Sequence, residues 1–270
     1  MTEQILGYRV VSAGPAEMAD DMVGWVREGG GCRTFACINP HTYVGALAGP
    51  KVSSALVGAD WLVPDGVGIV LASRILGGRL HGRVTGHDVF SGVMERLDRG
   101  GPFRVFFFGS TSATLAAIKE KVARDYPNLV VAGVLPDPAP GLQACLPPFP
   151  PMYSPEQRER ILAAIRAARA DVLWVGMTAP KQELWLHENR AALDVKFAGA
   201  VGAVFDFYIG RIRRSGPLFL ENGLEWLPRL LQEPRRLWRR MFVSAPIFLW
   251  HVLLARLGVH AAGARGGGHA

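Results

Sequence analysis

Asp65 is a lone carboxylate at a position where a carboxylate can do chemistry. An apolar run, Trp61-Leu62-Val63, stops at Pro64, Asp65 follows, and Gly66 and Gly68 lead into an apolar segment with helical spacing. Strand, turn and helix in that order put the acid at the carboxyl end of a strand, the edge at which open α/β sheets bind ligands. Two roles suit it there: N-cap of the following helix, or general base. Spacing alone favours the cap. Asp206 lies between Phe205 and Phe207 just past another apolar run. A carboxylate among aromatics is costly to bury unpaired, so it bonds local backbone or receives N–H groups from a ligand such as uracil. Gln182, in Ala179–Glu183, either belongs to an exposed first helical turn behind Pro180 or offers its amide to a sugar or base. Gly109, with Ser110 and Thr111, stands at a strand-to-helix junction where free N–H groups favour a phosphate.

Some chemistries are disfavoured. The dinucleotide fingerprint G-x-G-x-x-G and the P-loop pattern are absent, which argues against an NAD enzyme. No D-x-D pair follows a strand, so no tightly held divalent metal and no cofactor are expected. Cys32, Cys37 and Cys145 make neither a disulfide framework nor a zinc pattern.

The elements that must position these residues alternate. Residues 5–12 read as a first strand and 15–27 as a helix; 33–39 read as a strand ending in Asn39-Pro40, and 42–56 as a helix broken near Gly49-Pro50. After the Asp65 turn and its helix, Gly77-Gly78 is a stop, and HGRVTGHD carries Arg83 into a helix over 89–97. A second half begins near Phe103: strand RVFFFG, helix, strand 128–134, and a proline-rich loop over 136–155. A helix over 155–168, with Ser154 and Gln157 as a capping box, leads to strand 171–176, a helix over 183–193 and a last strand over 195–204. Such alternation predicts an α/β fold, a mostly parallel Rossmann-like sheet with helices on both faces. Right-handed crossovers bring Asn39, Asp65, Gly109, Gly176 and Asp206 to one edge. One sheet or two lobes, over 1–100 and 101–210, are both compatible with the pattern.

The 270 residues are 49% hydrophobic and 20% charged, the composition of a globular chain. No signal peptide and no spanning helix are expected. Of the net charge of +7, +6 falls between Arg211 and Arg256, where nine Arg face three Glu. There Arg alternates with Trp, Leu and Phe. That pattern suits a membrane surface, with Trp238, Phe242, Phe248 and Trp250 at the interface, better than nucleic acid. A solvated basic helix packed on the core is the plain alternative. The expected organisation is a core over 1–210, a basic amphipathic helical appendage over 211–258 and a disordered tail over 259–270.

In order along the chain, NPHT, PDGVGIVLASRILGG, RVTGHD, FFFGS, YPNL, VGMTAPKQE, VGAVFDFYIGRIRRSGP and GLEWLPRLLQEPRR resemble the WecG/TagA/CpsF glycosyltransferases (glycosyltransferase family 26). The resemblance implies an inverting, metal-independent transferase. It would move a hexose of the ManNAc, ManNAc uronic acid or glucose type from a UDP-sugar to a polyprenyl-diphosphate-linked saccharide. The setting would be cell-surface polysaccharide synthesis, peripheral on the cytoplasmic membrane face. It implies Asp65 as base and Arg83 at the diphosphate. It also implies Asn39 at the sugar, Gln182 and Asp206 on the nucleotide side, and Arg229, Arg235 and Arg236 at a diphosphate. Two departures stand out: Cys37-Ile38 precedes Asn39 where Thr-Leu is frequent, and Ser215-Gly216 interrupts an R-A-P element. A non-catalytic nucleotide-sugar-binding assembly protein is the rival reading. Self-association through the apolar C-terminal faces is compatible with either.

Overall fold

The computed structural model describes residues 1–80, 82–139, 152–212 and 238–259. It opens with a hairpin of β1 (Thr2–Ile5) and β2 (Tyr8–Val11). This corrects the single strand expected over 5–12. The chain reverses at Leu6 and Gly7, whose φ values of 48° and 88° are the consecutive positive pair that a tight hairpin turn needs. Next come α1 (Pro15–Glu28), β3 (Arg33–Ile38), α2 (Pro40–Ala48), α3 (Pro50–Val57), β4 (Trp61–Pro64), α4 (Val67–Ile75) and α5 (Gly86–Gly100). The second half has β5 (Arg104–Gly109), α6 (Ser112–Asp125), β6 (Val130–Leu135), α7 (Pro155–Ala168), β7 (Val172–Gly176), α8 (Lys181–Asn189), β8 (Phe197–Ala200) and α9 (Val204–Tyr208). The last strand is shorter than expected: Gly202 turns the chain at φ 58°, and Val204 already belongs to α9.

β3 to β8 form one parallel sheet in the order β4-β3-β8-β7-β5-β6. β8 pairs with both β3 and β7, so the two halves share a single sheet. Side chains alternate across it, as they must in a strand buried on both faces. Phe35, Trp61, Val63, Phe107 and Trp174 meet α1, α5, α6 and α9 on one side. On the other, Ala36, Ile38 and Leu62 meet α2, α3 and α4, and Phe106, Phe108 and Val175 meet α7 and α8. The result is the expected three-layer α/β arrangement with every strand's carboxyl end on one edge.

Of the C-terminal segment, the description resumes at Trp238. A π-helical turn (Arg240–Ser244) runs into α10 (Ala245–Arg256), which packs on α2 and α4 through buried Phe248 and Val252; this corrects the interfacial place expected for Phe248, whose ring packs against Tyr43 in the core. α10 carries a single arginine, Arg256; Arg239 and Arg240 stand just before it. The proline-rich loop over 140–151 and the tail over 260–270 lie outside the described residues. Among the described residues, no helix is long and apolar enough to cross a membrane.

Gly176 ends β7 with the ring of Phe205 directly against its Cα, where any Cβ would collide with Phe205 Cδ2 and Cε2. Gly176→Ala is therefore expected to destabilise the fold by about 1–3 kcal/mol, the range for overpacking a tight core. Urea unfolding measures this; an unchanged midpoint would mean that Phe205 moves aside freely.

Candidate functional site at the carboxyl edge

Asn39 leaves β3 in extended conformation (φ −141°, ψ 170°) and caps α2. Its Oδ1 accepts from the N–H groups of His41 and Thr42, both at 3.0 Å, and its own N–H donates to Thr42 Oγ1 at 2.8 Å. Pro40 follows at the first helical position, where no N–H is needed. Because the cap uses only the amide oxygen, the amide nitrogen is left to donate, and it meets Asp65 Oδ2 at 3.4 Å. One side chain thus starts a helix and orients the carboxylate of the neighbouring strand. Asp65 N–H donates to Ile38 O at 2.9 Å, which extends the β3–β4 ladder past the strand end.

The N-cap position of α4 is taken by Gly66 (φ 89°), one residue beyond Asp65. Spacing favoured Asp65 as that cap. The turn instead needs a left-handed residue at the cap, which only glycine adopts without strain.

Arg83 is half-buried on the loop that precedes α5. Val84 N–H donates to Pro64 O at 3.2 Å, so the loop runs beside the end of β4, and Asp65 and Arg83 flank one backbone hydrogen bond. Thr85 and Asp88 then close a capping box on α5. A Cβ on Gly86 would lie 3.6 Å from Cys37 Sγ and 3.7 Å from Val201 O, so α5 starts against the ends of β3 and β8.

Gly109 (φ 106°) approaches β7 so closely that a Cβ would lie 2.7 Å from Gly176 O. Gly109 must be glycine for this backbone approach, whereas Gly176 must be glycine to admit the ring of Phe205. Beside them Thr111 caps α6, accepting from Thr114 N–H at 3.2 Å. Asp206 sits on α9. Its Oδ1 is buried and has no hydrogen-bond donor among the described residues; Arg211 Nη1 is 3.6 Å away. Arg211 also reaches Thr114 Oγ1 at 3.4 Å, so a cation, a carboxylate and the first turn of α6 share the corner beside Gly109.

Gln182 is 4% exposed. Its Oε1 accepts from Met177 N–H at 3.2 Å and Gly202 N–H at 2.8 Å, and its Nε2 donates to Glu183 Oε1 at 2.9 Å. The expected amide facing a ligand is here a clamp between the turns that follow β7 and β8. Arg229, Arg235 and Arg236 lie outside the described residues.

Four residues that sequence reasoning passed over also belong to this edge: Asp137, Tyr153, Lys181 and Glu183. Lys181 and Glu183 stood within the PKQE motif. Their signal was charge inside an otherwise buried turn, visible only once α8 is seen to bury its first residues. A groove of about 560 Å³, lined among others by Cys32, Thr34, Gly58, His187 and Arg190, lies toward the opposite, amino edge. Among the described residues no cluster of three or more His, Cys, Asp or Glu could hold a metal ion.

This edge, with its carboxylate, its arginine beside the end of β4 and its turns after β5 and β7, meets a family comparison. Residues 3–262 match the model of the glycosyl transferase WecG/TagA/CpsF family. The chain belongs to that family. It is 32% identical over 215 residues to an N-acetylglucosaminyldiphosphoundecaprenol N-acetyl-beta-D-mannosaminyltransferase of Bacillus spizizenii, covering 80% of this chain and 76% of the relative. It is 28% identical over 222 residues to a protein of the same name from Bacillus subtilis, covering 81% and 78%.

In this glycosyltransferase, burial pushes Glu183 up to about 7, and its Oε2 has no hydrogen-bond partner among the described residues. The folded state therefore holds the proton more tightly than the unfolded state. Stability from this group is full below the ordinary glutamate range and falls as the pH rises from about 4.5 to about 7. Glu183→Gln keeps an acceptor for Gln182 Nε2 and removes the charge. It is expected to gain stability relative to wild type on going from pH 5 to pH 8, by roughly 3 kcal/mol at most. Melting curves at the two pH values test this, and a pH-independent difference would contradict it.

Proposed function

We propose that this chain transfers a hexose of the ManNAc class from a UDP-sugar to a polyprenyl-diphosphate-linked GlcNAc, with inversion and without a metal. The observation that carries the reading is Asp65. It is a carboxylate on the ligand edge of a parallel sheet, oriented by Asn39 and level with Arg83, in a chain that resembles two mannosaminyltransferases along four-fifths of its length.

In this reading the acceptor hydroxyl lies against Asp65, which takes its proton as the oxygen attacks the anomeric carbon from the face opposite the leaving UDP. Arg83 receives the diphosphate, whose negative charge grows as the bond to the sugar breaks. Arg229, Arg235 and Arg236 supplement it. Gln182 holds the turns around the nucleotide, and Asp206 Oδ1 accepts from an N–H of the base. Asn39 fixes the base carboxylate, and in this reading its amide also contacts the sugar.

The acceptor's lipid tail calls for a membrane surface near Asp65. α4, which starts two residues after Asp65, exposes Val67 and Leu71, and α10 packed beside it exposes Leu249, Trp250 and Leu253; Trp238 and Phe242 stand exposed before it. With Arg239, Arg240 and Arg256 these residues form the interfacial surface on the inner face of the cell membrane.

Two experiments test the reading. With a GlcNAc-diphospho-undecaprenol acceptor and a panel of UDP-hexoses, UDP release is expected with UDP-ManNAc. Asp65→Asn is expected to lose about 10²–10⁴-fold in kcat, the usual contribution of a general base. Undiminished release by Asp65→Asn would remove the base assignment. Full-length protein is expected to co-sediment with vesicles containing phosphatidylglycerol, and Phe242→Ser/Trp250→Ser to weaken this about tenfold or more, since each large side chain withdrawn from the interface loses apolar burial. Equal sedimentation of the double variant would remove the surface.

A further inference from the structure

Asp137 and Lys181 form an ion pair almost without solvent access, with side-chain exposures of 6% and 3% and Nζ to Oδ2 at 2.6 Å. Each charge is further satisfied. Asp137 Oδ1 accepts from Tyr153 OH at 2.8 Å and from Ala139 N–H at 3.0 Å. Lys181 Nζ also donates to Ala139 O at 2.8 Å and lies 5.1 Å from the ring centroid of Tyr153. The node touches every turn on the β5–β7 side of the edge. Asp137 N–H donates to Ser110 O at 3.2 Å, in the turn after β5 where Ser110 itself is held at φ 56°. Tyr153 OH is 3.2 Å from Met177 Sδ, in the turn after β7, and Lys181 precedes Gln182, whose oxygen holds Met177 N–H.

A buried ion pair is a poor source of net stability, because apolar residues of equal volume hold a fold at least as well. What it fixes is distance: two satisfied charges allow one separation between the turns that carry them, whereas an apolar contact allows several. The turns in question are those at Gly109–Thr111 and Gly176–Met177.

We infer that Asp137, Lys181 and Tyr153 are positioning residues for the donor, setting the spacing of the β5, β6 and β7 turns that hold its nucleotide end. The inference rests on the UDP-sugar reading above. None of the three touches the reacting atoms; they act through Ser110, Met177 and Gln182.

The test is steady-state kinetics in the donor, by UDP release from UDP-ManNAc at saturating lipid-linked GlcNAc, together with melting temperature, on the full chain. Lys181→Met strands the Asp137 charge; Lys181→Met/Asp137→Asn removes both charges; Tyr153→Phe removes one hydroxyl. Arg190→Met is the control. Arg190 pairs with Asp60 at 3.0 Å and donates to Cys32 O and Gly58 O, all on the amino edge.

Lys181→Met is expected to raise the donor KM about tenfold or more with kcat within about threefold, the signature of lost binding with intact chemistry. The double variant is expected to regain melting temperature while its donor KM stays raised, and Tyr153→Phe to raise KM several-fold with little change in melting. A double variant that recovers both melting temperature and KM would overturn the inference, as would Arg190→Met raising KM equally at a matched loss of melting temperature. If wild type releases no UDP from any donor and binds none by calorimetry, the donor reading itself falls, and the inference with it.

Discussion

β8 is the last strand of the sheet in sequence and lies at its centre, between β3 and β7. Without it the β4-β3 pair and the β7-β5-β6 group have no ladder in common. Its pairing therefore decides whether Asp65 and Asn39, on one side, share an edge with Gly109 and Gly176 on the other. The strand is only four residues, FAGA, and its small side chains make room for large neighbours. A Cβ on Gly199 would collide with the indole of Trp174, which packs edge-on to Phe197 at a centroid distance of 5.3 Å and on Phe90 at 5.0 Å. The centre of the sheet is thus a set of aromatics locked over a strand too small to pack by itself. The turn after it, at Gly202, is where Gln182 fastens β8 to β7.

The groups at the carboxyl edge are oriented by the same devices that end strands and start helices. Asn39 caps α2 and holds Asp65; Thr85 and Asp88 cap α5 just after Arg83; Thr111 caps α6 just after Gly109. Each cap satisfies backbone donors that would otherwise face the open edge and fixes the residue next to it. Little freedom is left at the strand ends. A transferase that must hold a donor and an acceptor in line benefits from that rigidity. Behind the edge, the buried Glu183 and the Asp137–Lys181 ion pair add polar constraint where aromatic packing gives way to turns.

The C-terminal helix is joined to this machinery through α2. His41 Nδ1 and Ser244 Oγ are 2.9 Å apart, as are Tyr43 OH and His251 Nδ1, and Tyr43 packs edge-on to Phe248. Burial, with Arg240 and Arg239 nearby, pulls His41 down to about 4, so it stays neutral at ordinary pH and the contact is a hydrogen bond between uncharged groups. The docked face is satisfied and apolar. The outer face, with Trp250 at 60% exposure, is not buried by anything in the chain described. His41 and Tyr43, two and four places beyond Asn39, therefore anchor the element proposed to meet the membrane.

Much of this was legible in the sequence because it is local. Period-2 and period-3.6 apolar patterns mark most elements to within a few residues, and Ser154 with Gln157 forms the capping box that their spacing predicts. The alternation of strand and helix implied a parallel sheet, and a parallel sheet puts Asn39, Asp65, Gly109 and Gly176 on one edge by geometry alone. The motif string fixed the family. The tertiary structure decided what depends on residues distant in the chain. Pairing partners of β8 are 164 residues apart in sequence at β3, as in Arg33 with Phe197, and no local pattern specifies them. Whether Asp65 caps a helix turned on the φ of Gly66, and whether Gln182 faces outward turned on N–H groups at Met177 and Gly202. No local pattern sets Lys181 and Asp137 apart from other charged residues; folding removes water from both. A sequence displays the charge a residue carries; only the packed chain sets its partner and its solvent.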